Sequence, residues 1–457
     1  MIGSGRERAQ RIPAGMSTAL RRFPAGFLWG AATSAHQVEG GNRLNDWWRF
    51  EQRPGAIADG TASGEACRHY ERFDEDFALA AGDGHTAHRL SLEWSRIEPE
   101  HGRIDPAAVA HYHDVFASLR RHRLLPIVTL HHFTSPLWIA DRGGWENRET
   151  VDRFGEFVRF CAREFGGEVD HWITVNEPEV YAFRAYSEGV WPPGRRDDGA
   201  ALAVLAHLLE AHGRAYRILH AEDARDADGD GRAAVVGFTK AWFPLEPLRP
   251  WMPLDVLRAR VEDQVFNHAV AAAPRTGDLH LAIPGARGIK RHVAELEQSL
   301  DFFGLNHYTR WKVRGMGKRV HVTPPGARLT DLGWEIHAAS FETVLGLAGS
   351  SGVPVLVTEN GFADGADALR PRALVEYLLH MGRAIERGVN VIGYLHWSLM
   401  DNFEWAEGFR GRFGLYHVDF DRPDRPRRPR RSAGLYKRIV QANAIETSVA
   451  AEVGLVL

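Results

Sequence analysis

Apolar residues along this chain gather in short runs rich in β-branched and aromatic side chains, and the stretches between the runs carry helical periodicity. Eight runs stand out, at 27–34, 88–94, 125–132, 171–176, 233–240, 301–309, 354–358 and 391–398. The segments VGFT, PVLVT and VIGYLHW are continuous rather than alternating, the pattern of strands buried on both faces. Strand and helix in alternation predict βα units, and eight such units predict an α/β protein that is a single (β/α)₈ TIM barrel. No linker divides the pattern, so residues 23–445 read as one barrel domain. Residues 1–22 then form a disordered N-terminal tail and 446–457 a C-terminal tail.

In such barrels chemistry sits where strands end and βα loops begin, because that face collects eight adaptable loops around one mouth. The polar residues of this chain collect at those places: His131 and His132 close the third run, Asn176 and Glu177 the fourth, Asn306 and Tyr308 the sixth, Glu359 and Asn360 the seventh. Two strand-end glutamates suit cleavage of a glycosidic bond. One acts as an acid toward the leaving oxygen, and the other meets the oxocarbenium-like centre from the opposite face.

Composition narrows the partners. Hydrophobic residues make up 44% and charged residues 25%, an ordinary globular balance, which excludes disordered and fibrous classes. A net charge of −3 gives no field to recruit nucleic acid or an anionic membrane, so a small neutral substrate fits better. No run approaches the roughly 20 apolar residues of a membrane helix. The segment with Arg6, Arg8, Arg11, Arg21 and Arg22 has only the proline-broken stretch 12–16 as an apolar core, which is no signal peptide. Two cysteines, Cys67 and Cys161 in helix-like stretches, read as buried thiols of a cytoplasmic enzyme. A homo-oligomer is compatible with the sequence.

The segments FLWGAATSAHQVEG (27–40), HRLSLEWSRIEP, VTLHHFTSPLW, TVNEP, GLNHYT, VTENGF, HWSLMDNFEWAEGF and RFGLYHVDF, in that order, resemble glycoside hydrolase family one, the β-glucosidase family of a retaining clan. The resemblance spans nearly the whole chain and implies a retaining, exo-acting β-glycosidase, foremost a β-glucosidase, that needs no cofactor or metal. It implies Glu177 as acid/base, Glu359 as nucleophile, Arg89 and Tyr308 as partners of the nucleophile, and Asn176 as a ligand of the sugar 2-hydroxyl. In the same way Gln37, His132, Asn306, Trp397, Glu404, Trp405 and Phe409 fall to sugar binding, and Trp334 to the entrance. Branches of the family that take 6-phosphorylated sugars replace the carboxylate at position 404, so its presence here implies an unphosphorylated glycon. The clan's carboxyl groups lie about 5–5.5 Å apart. Three features depart from the family pattern: Phe133 in place of tryptophan, the stretch 337–340, and His307 beside Tyr308. They bear on the edge of the sugar site and on aglycone choice.

Other signals are weaker. Asp226, Asp228 and Asp230 resemble the start of a calcium loop, but its twelfth position is Gly237, so the segment reads as a solvated turn. His111 and His113 fall on a helix, and the arginine run 425–431 reads as a solvated face. Twenty-three histidines and the His131–His132 pair leave a metal-dependent barrel hydrolase as the alternative. A non-catalytic sugar-binding barrel is the third reading, although both glutamates are present.

Overall fold

The computed structural model describes residues 19–316 and 321–455. Eight parallel strands close into a barrel: β1 Leu28–Ala32, β2 Ala87–Ser91, β3 Leu125–His131, β4 His171–Asn176, β5 Val235–Ala241, β6 Phe302–Asn306, β7 Val355–Asn360 and β8 Val391–Trp397. Each pairs with its neighbours in sequence, and β8 returns to β1 in the register Gly393↔Leu28 to Trp397↔Ala32. All eight predicted runs are strands. The seventh extends further than expected, so Glu359 and Asn360 are its last residues rather than loop residues.

The outer ring consists of α1 His69–Gly82, α2 Pro106–Arg121, α3 Glu149–Phe165, α4 Asp198–Glu222, α5 Ala269–Thr276, α6 Ala338–Gly349, α7 Arg370–Glu386 and α8 Arg431–Ala442. Their starts follow from local chemistry. Asp105 accepts from Ala107 N with Pro106 at the first helical position, and Asp197 accepts from Ala200 N; each satisfies an otherwise orphaned donor. On α2, Ala108, Val109, Tyr112, Val115, Phe116 and Leu119 form the helically spaced stripe that is buried against the barrel. Burying each of the larger of these contributes about 1.5–3 kcal/mol.

The expected domain limits fall inside ordered structure. Ala19–Arg22 pairs antiparallel with Ala444–Glu446, and Thr447–Glu452 forms a helix that buries Val449 and Ala450. Residues 447–455 are therefore docked rather than a loose tail, because Val449, Ala450 and Val453 offer an apolar face. Of the expected N-terminal tail, residues 1–18 lie outside the described residues, as do 456 and 457 of the C-terminal one. Cys161 lies on α3, but Cys67 lies in a turn and donates to Asp401 O at 2.8 Å; both thiols are free and buried. The arginine run is less solvated than its composition suggests. Arg427 bridges to buried Asp76 and Arg430 to buried Asp401, which ties the loop before α8 to the barrel.

Candidate active site

The C-terminal ends of the strands bring the two glutamates to one mouth. Arg89, on β2 and fully buried, donates through Nη1 to Glu359 Oε1 on β7, through Nη2 to Asn176 Oδ1 on β4 at 2.7 Å, and through Nε to Thr129 Oγ1 on β3 at 3.1 Å. Tyr308, just past β6, donates to Glu359 Oε2 at 2.5 Å. Burial and the facing Glu359 charge raise the Tyr308 phenol well above its usual range, so it keeps the proton it donates. Each Glu359 oxygen thus meets one donor, a guanidinium on one side and a phenol on the other. Gly361 follows two residues later, directly after β7; a Cβ there would lie 1.8 Å from Trp397 O, so only glycine lets the ends of β7 and β8 converge.

Glu177 sits in a different environment. Its backbone amide donates to Thr239 O at 2.8 Å, and it turns out of β4 with a left-handed φ of +43°. Asn306 Nδ2 donates to Glu177 Oε1 at 2.7 Å, while Thr358 Oγ1 fixes Asn306 Oδ1 at 2.7 Å. Burial first and Glu359 second hold the Glu177 carboxyl well above the ordinary range. One carboxyl is therefore surrounded by donors and its partner is biased toward the protonated form. Asn306, expected among the sugar ligands, is in this structure the partner of Glu177.

The remaining predicted residues form the wall beside this pair. His132 stands 3.3 Å from Asn176 Nδ2 and stacks between Trp397 and Trp405, with ring centroids 6.0 Å from each. Burial and Arg89 keep its imidazole neutral, with a pKa well below the usual histidine range. Gln37 donates to Phe403 O at 2.9 Å and reaches Glu404 Oε2 at 3.4 Å; Asn402 donates to the same oxygen at 3.0 Å. Burial pushes Glu404 up to about 8, against the pull of Asn402. Trp334 packs edge-on to Tyr308 at 5.6 Å. Phe409 contacts Phe403 and Phe420, and so backs the segment that carries Glu404. Phe133, Glu177 and Trp405 all have positive φ, and such strain costs about 1–3 kcal/mol per residue. Three strained residues in and beside the pair mark where the fold gives up stability for geometry.

Other expectations change. His131 and His132 do not converge, because successive strand residues face opposite ways: His131 accepts from Trp145 at 3.0 Å on the helix side. The stretch 337–340 and His307 belong to packing behind the barrel rather than to the entrance. His307 Nδ1 donates to Trp242 O at 2.7 Å, its Nε2 meets Ser340 Oγ at 2.9 Å, and His337 caps α6 by accepting from Ser340 N. The loop at Asp226 is a turn at the opposite end of the barrel. Asp226 accepts from Gly229 N and Gly231 N, and buried Asp170 accepts from Ala227 N and Asp228 N. The carboxylates of Asp170, Asp226 and Asp228 approach within 4.8 Å of one another there. His113 bonds Glu164 on α3 and Glu168 in the turn that follows it. Among the described residues no helix is long and apolar enough to cross a membrane. Sequence reasoning missed Thr129 and Thr358, which hold Arg89 and Asn306. It also missed the buried pair Glu179 and Lys240, whose one signal is a lysine at the end of an apolar run.

Comparison with known proteins agrees with this geometry. Beta-glucosidase A of Thermotoga maritima is 33% identical over 456 residues, covering 93% of this chain and 99% of that protein. The solved beta-glycosidase of Pyrococcus horikoshii superposes with a TM-score of 0.86 at 34% identity, over 96% of this chain and 99% of its own. The Thermotoga maritima beta-glucosidase in complex with glucoimidazole does so with 0.86 at 31% identity, over 93% and 100%. The profile of glycosyl hydrolase family 1 matches residues 19–445, and with it the barrel, the paired glutamates and their partners have one explanation: the chain belongs to glycosyl hydrolase family 1.

Proposed function

We propose that the protein is a retaining, exo-acting β-glucosidase that hydrolyses terminal, non-reducing, unphosphorylated β-D-glucosides by double displacement. The observation that carries this reading is the contrast between two buried carboxyls: Glu359, held by Arg89 and Tyr308, and Glu177, held among the described residues by the Asn306 amide. Glu359 attacks the anomeric carbon while Glu177 delivers its proton to the departing glycosidic oxygen. The glycosyl–enzyme ester then meets a water whose proton returns to Glu177, and Glu359 leaves as carboxylate. The proton on Glu177 and the charge on Glu359 support each other before the first step, and the exchange of roles restores both at the end.

Asn176, oriented by Arg89, is suited to the sugar 2-hydroxyl, where a hydrogen bond strengthens as the transition state forms. Gln37, His132 and Glu404 supply polar contacts to the other hydroxyls, and Trp397 and Trp405 supply apolar surface to the ring. Trp334 borders the aglycone side. The relatives named beta-glucosidase support glucose as the glycon. Two buried free thiols support a reducing, cytoplasmic setting.

Proton NMR of the first-formed sugar tests the stereochemistry: β-glucose should appear before mutarotation, and an initial α-anomer would overturn the retaining mechanism. A panel of nitrophenyl β-glycosides tests the glycon, with the glucoside expected to have the highest kcat/KM.

A further inference from the structure

Two residues past Glu177, the Glu179 side chain lies wholly buried and pairs with a wholly buried Lys240 at 2.9 Å. A lysine and a glutamate sealed together deep in a barrel cost desolvation that an apolar pair of the same volume would avoid, so stability alone does not account for them. Their position is specific. Lys240 directly follows Thr239, whose carbonyl accepts the Glu177 amide at 2.8 Å. Ala241, the next residue, donates its own amide to Glu179 Oε1 at 2.8 Å. The ends of β4 and β5 are thus stitched twice around Glu177: once by the Glu177 backbone before Pro178, once by the Glu179 side chain after it.

The Lys240 ammonium is fixed from three sides. It donates to Glu179 Oε1, to Asn267 Oδ1 at 3.1 Å and to Ala241 O, and it lies 4.8 Å from the centre of the Phe266 ring. Asn267 is anchored in turn on Phe243 O at 2.8 Å and Asp263 Oδ1 at 2.6 Å. Glu179 Oε2 has no partner among the described residues. The left-handed turn at Glu177 needs such outside support, because a non-glycine residue holds a positive φ only when its surroundings over-determine it.

We propose that Lys240 and Glu179 are positioning residues for Glu177: the buried pair clamps the turn that aims the Glu177 carboxyl and sets the charge balance beneath it. The proposal rests on the reading of Glu177 as acid/base. The charged and titratable groups that act on Glu177 are Glu359 on β7, Arg89 on β2 and Tyr308 past β6, with Glu179 and Lys240 beneath. Glu179 pushes the Glu177 carboxyl up, behind the larger effects of burial and Glu359, and Lys240 cancels part of that push while the pair is intact. Removing the Glu179 charge alone leaves a buried ammonium below the acid and favours its ionised form; removing both charges restores neutrality.

The test compares Glu179→Gln, which keeps an acceptor for Ala241 N, with the double variant Glu179→Gln/Lys240→Met. The readout is the pH profile of kcat/KM for an alkyl glucoside and for dinitrophenyl glucoside. Glu179→Gln should move the basic limb to lower pH by about one unit and cut alkyl glucoside turnover about tenfold at pH 7, with a loss under about threefold for the activated substrate. In the double variant the limb should return toward the parent position. If both variants keep the parent limb and lose activity equally on both substrates, the pair is only a core element and the proposal fails. Should Glu179→Gln be insoluble, Lys240→Met takes its place and should move the limb to higher pH, because it leaves the Glu179 charge uncompensated; a Lys240→Met variant that keeps the parent limb, or a folded double variant with a displaced limb, would overturn the proposal. Glu177→Gln serves as the control: if it shows no dependence on leaving group, the acid/base reading itself is wrong, and that result is separate from any obtained at Glu179.

Discussion

Asn306 donates to Glu177 at 2.7 Å, and Thr358 fixes the other end of the same amide at 2.7 Å. A donor to a carboxylate favours its ionised form, so Asn306 opposes the upward push of burial and Glu359. It also sets the rotamer in which the proton points. Asn306→Ala should shift the basic limb of kcat/KM to higher pH and lower kcat/KM by roughly 10–10² through lost orientation. A limb that moves to lower pH would contradict the geometry.

For Glu177→Gln, the first step should suffer most when the leaving group is poor. We expect kcat/KM to fall by roughly 10²–10⁴ with alkyl glucosides and much less with dinitrophenyl glucoside, whose phenolate departs with little protonic help. Deglycosylation should slow for every substrate, giving a burst with the activated one. Azide needs no deprotonation and should restore turnover as a β-glycosyl azide. Equal losses for both leaving groups, with no response to azide, would assign the acid elsewhere.

Glu359→Ala should abolish hydrolysis, and a 2-deoxy-2-fluoro glucoside should label the parent enzyme on the peptide that carries Glu359. Arg89→Met should come close to the same loss in kcat, since it strips the guanidinium from Glu359 and Asn176 together. Label on another peptide would refute the role of Glu359.

Glu404, pushed up to about 8, links pH to stability in a definite direction. The folded protein keeps a proton that the unfolded chain releases near pH 4.3, so stability is full below that pH and declines as pH rises toward 8. Glu404→Gln should therefore raise Tm more at pH 8 than at pH 5, the stability gained at pH 8 being about 1–3 kcal/mol once its contact with water at the mouth is allowed for. The same change should raise KM for glucosides, and the parent enzyme should reject glucoside 6-phosphates. Thermal scans at the two pH values, with kcat/KM for both sugars, check all three; a Tm gain that is the same at pH 5 and 8 would remove the linkage.

Much of the barrel is legible because its signal is local. A strand buried on both faces is an apolar run whatever surrounds it, and β4 occupies the residues of its run without change. The glutamates, Asn176 and Tyr308 stand out by strand-end position and flanking motif, and Arg89, in the middle of β2, by the family resemblance alone. What is not legible depends on direction or on distant partners. Adjacent His131 and His132 look alike in sequence, yet the pleat sends one to Trp145 and the other to the mouth. Lys240 reads as the polar end of a run, and only β4 beside β5 shows Glu179 waiting for its charge. The ribbon of Ala19–Arg22 with Ala444–Glu446 carries no local mark, since each half is three or four ordinary residues.

That ribbon and the β8–β1 seam also bear on how the chain is made. Trp29, on the first strand, donates its indole N–H to Asn443, 414 residues later, at 2.8 Å, and its ring packs between Phe23, Phe27 and Tyr436. During synthesis the strand that opens the barrel therefore emerges with an aromatic cluster that has no partner until nearly everything else has been translated. Contacts of such long sequence separation form late and slowly, and until they do the exposed edge of β1 invites pairing with other chains. The period between the first strand and the last helix is thus the interval in which a nascent copy is most open to mispairing.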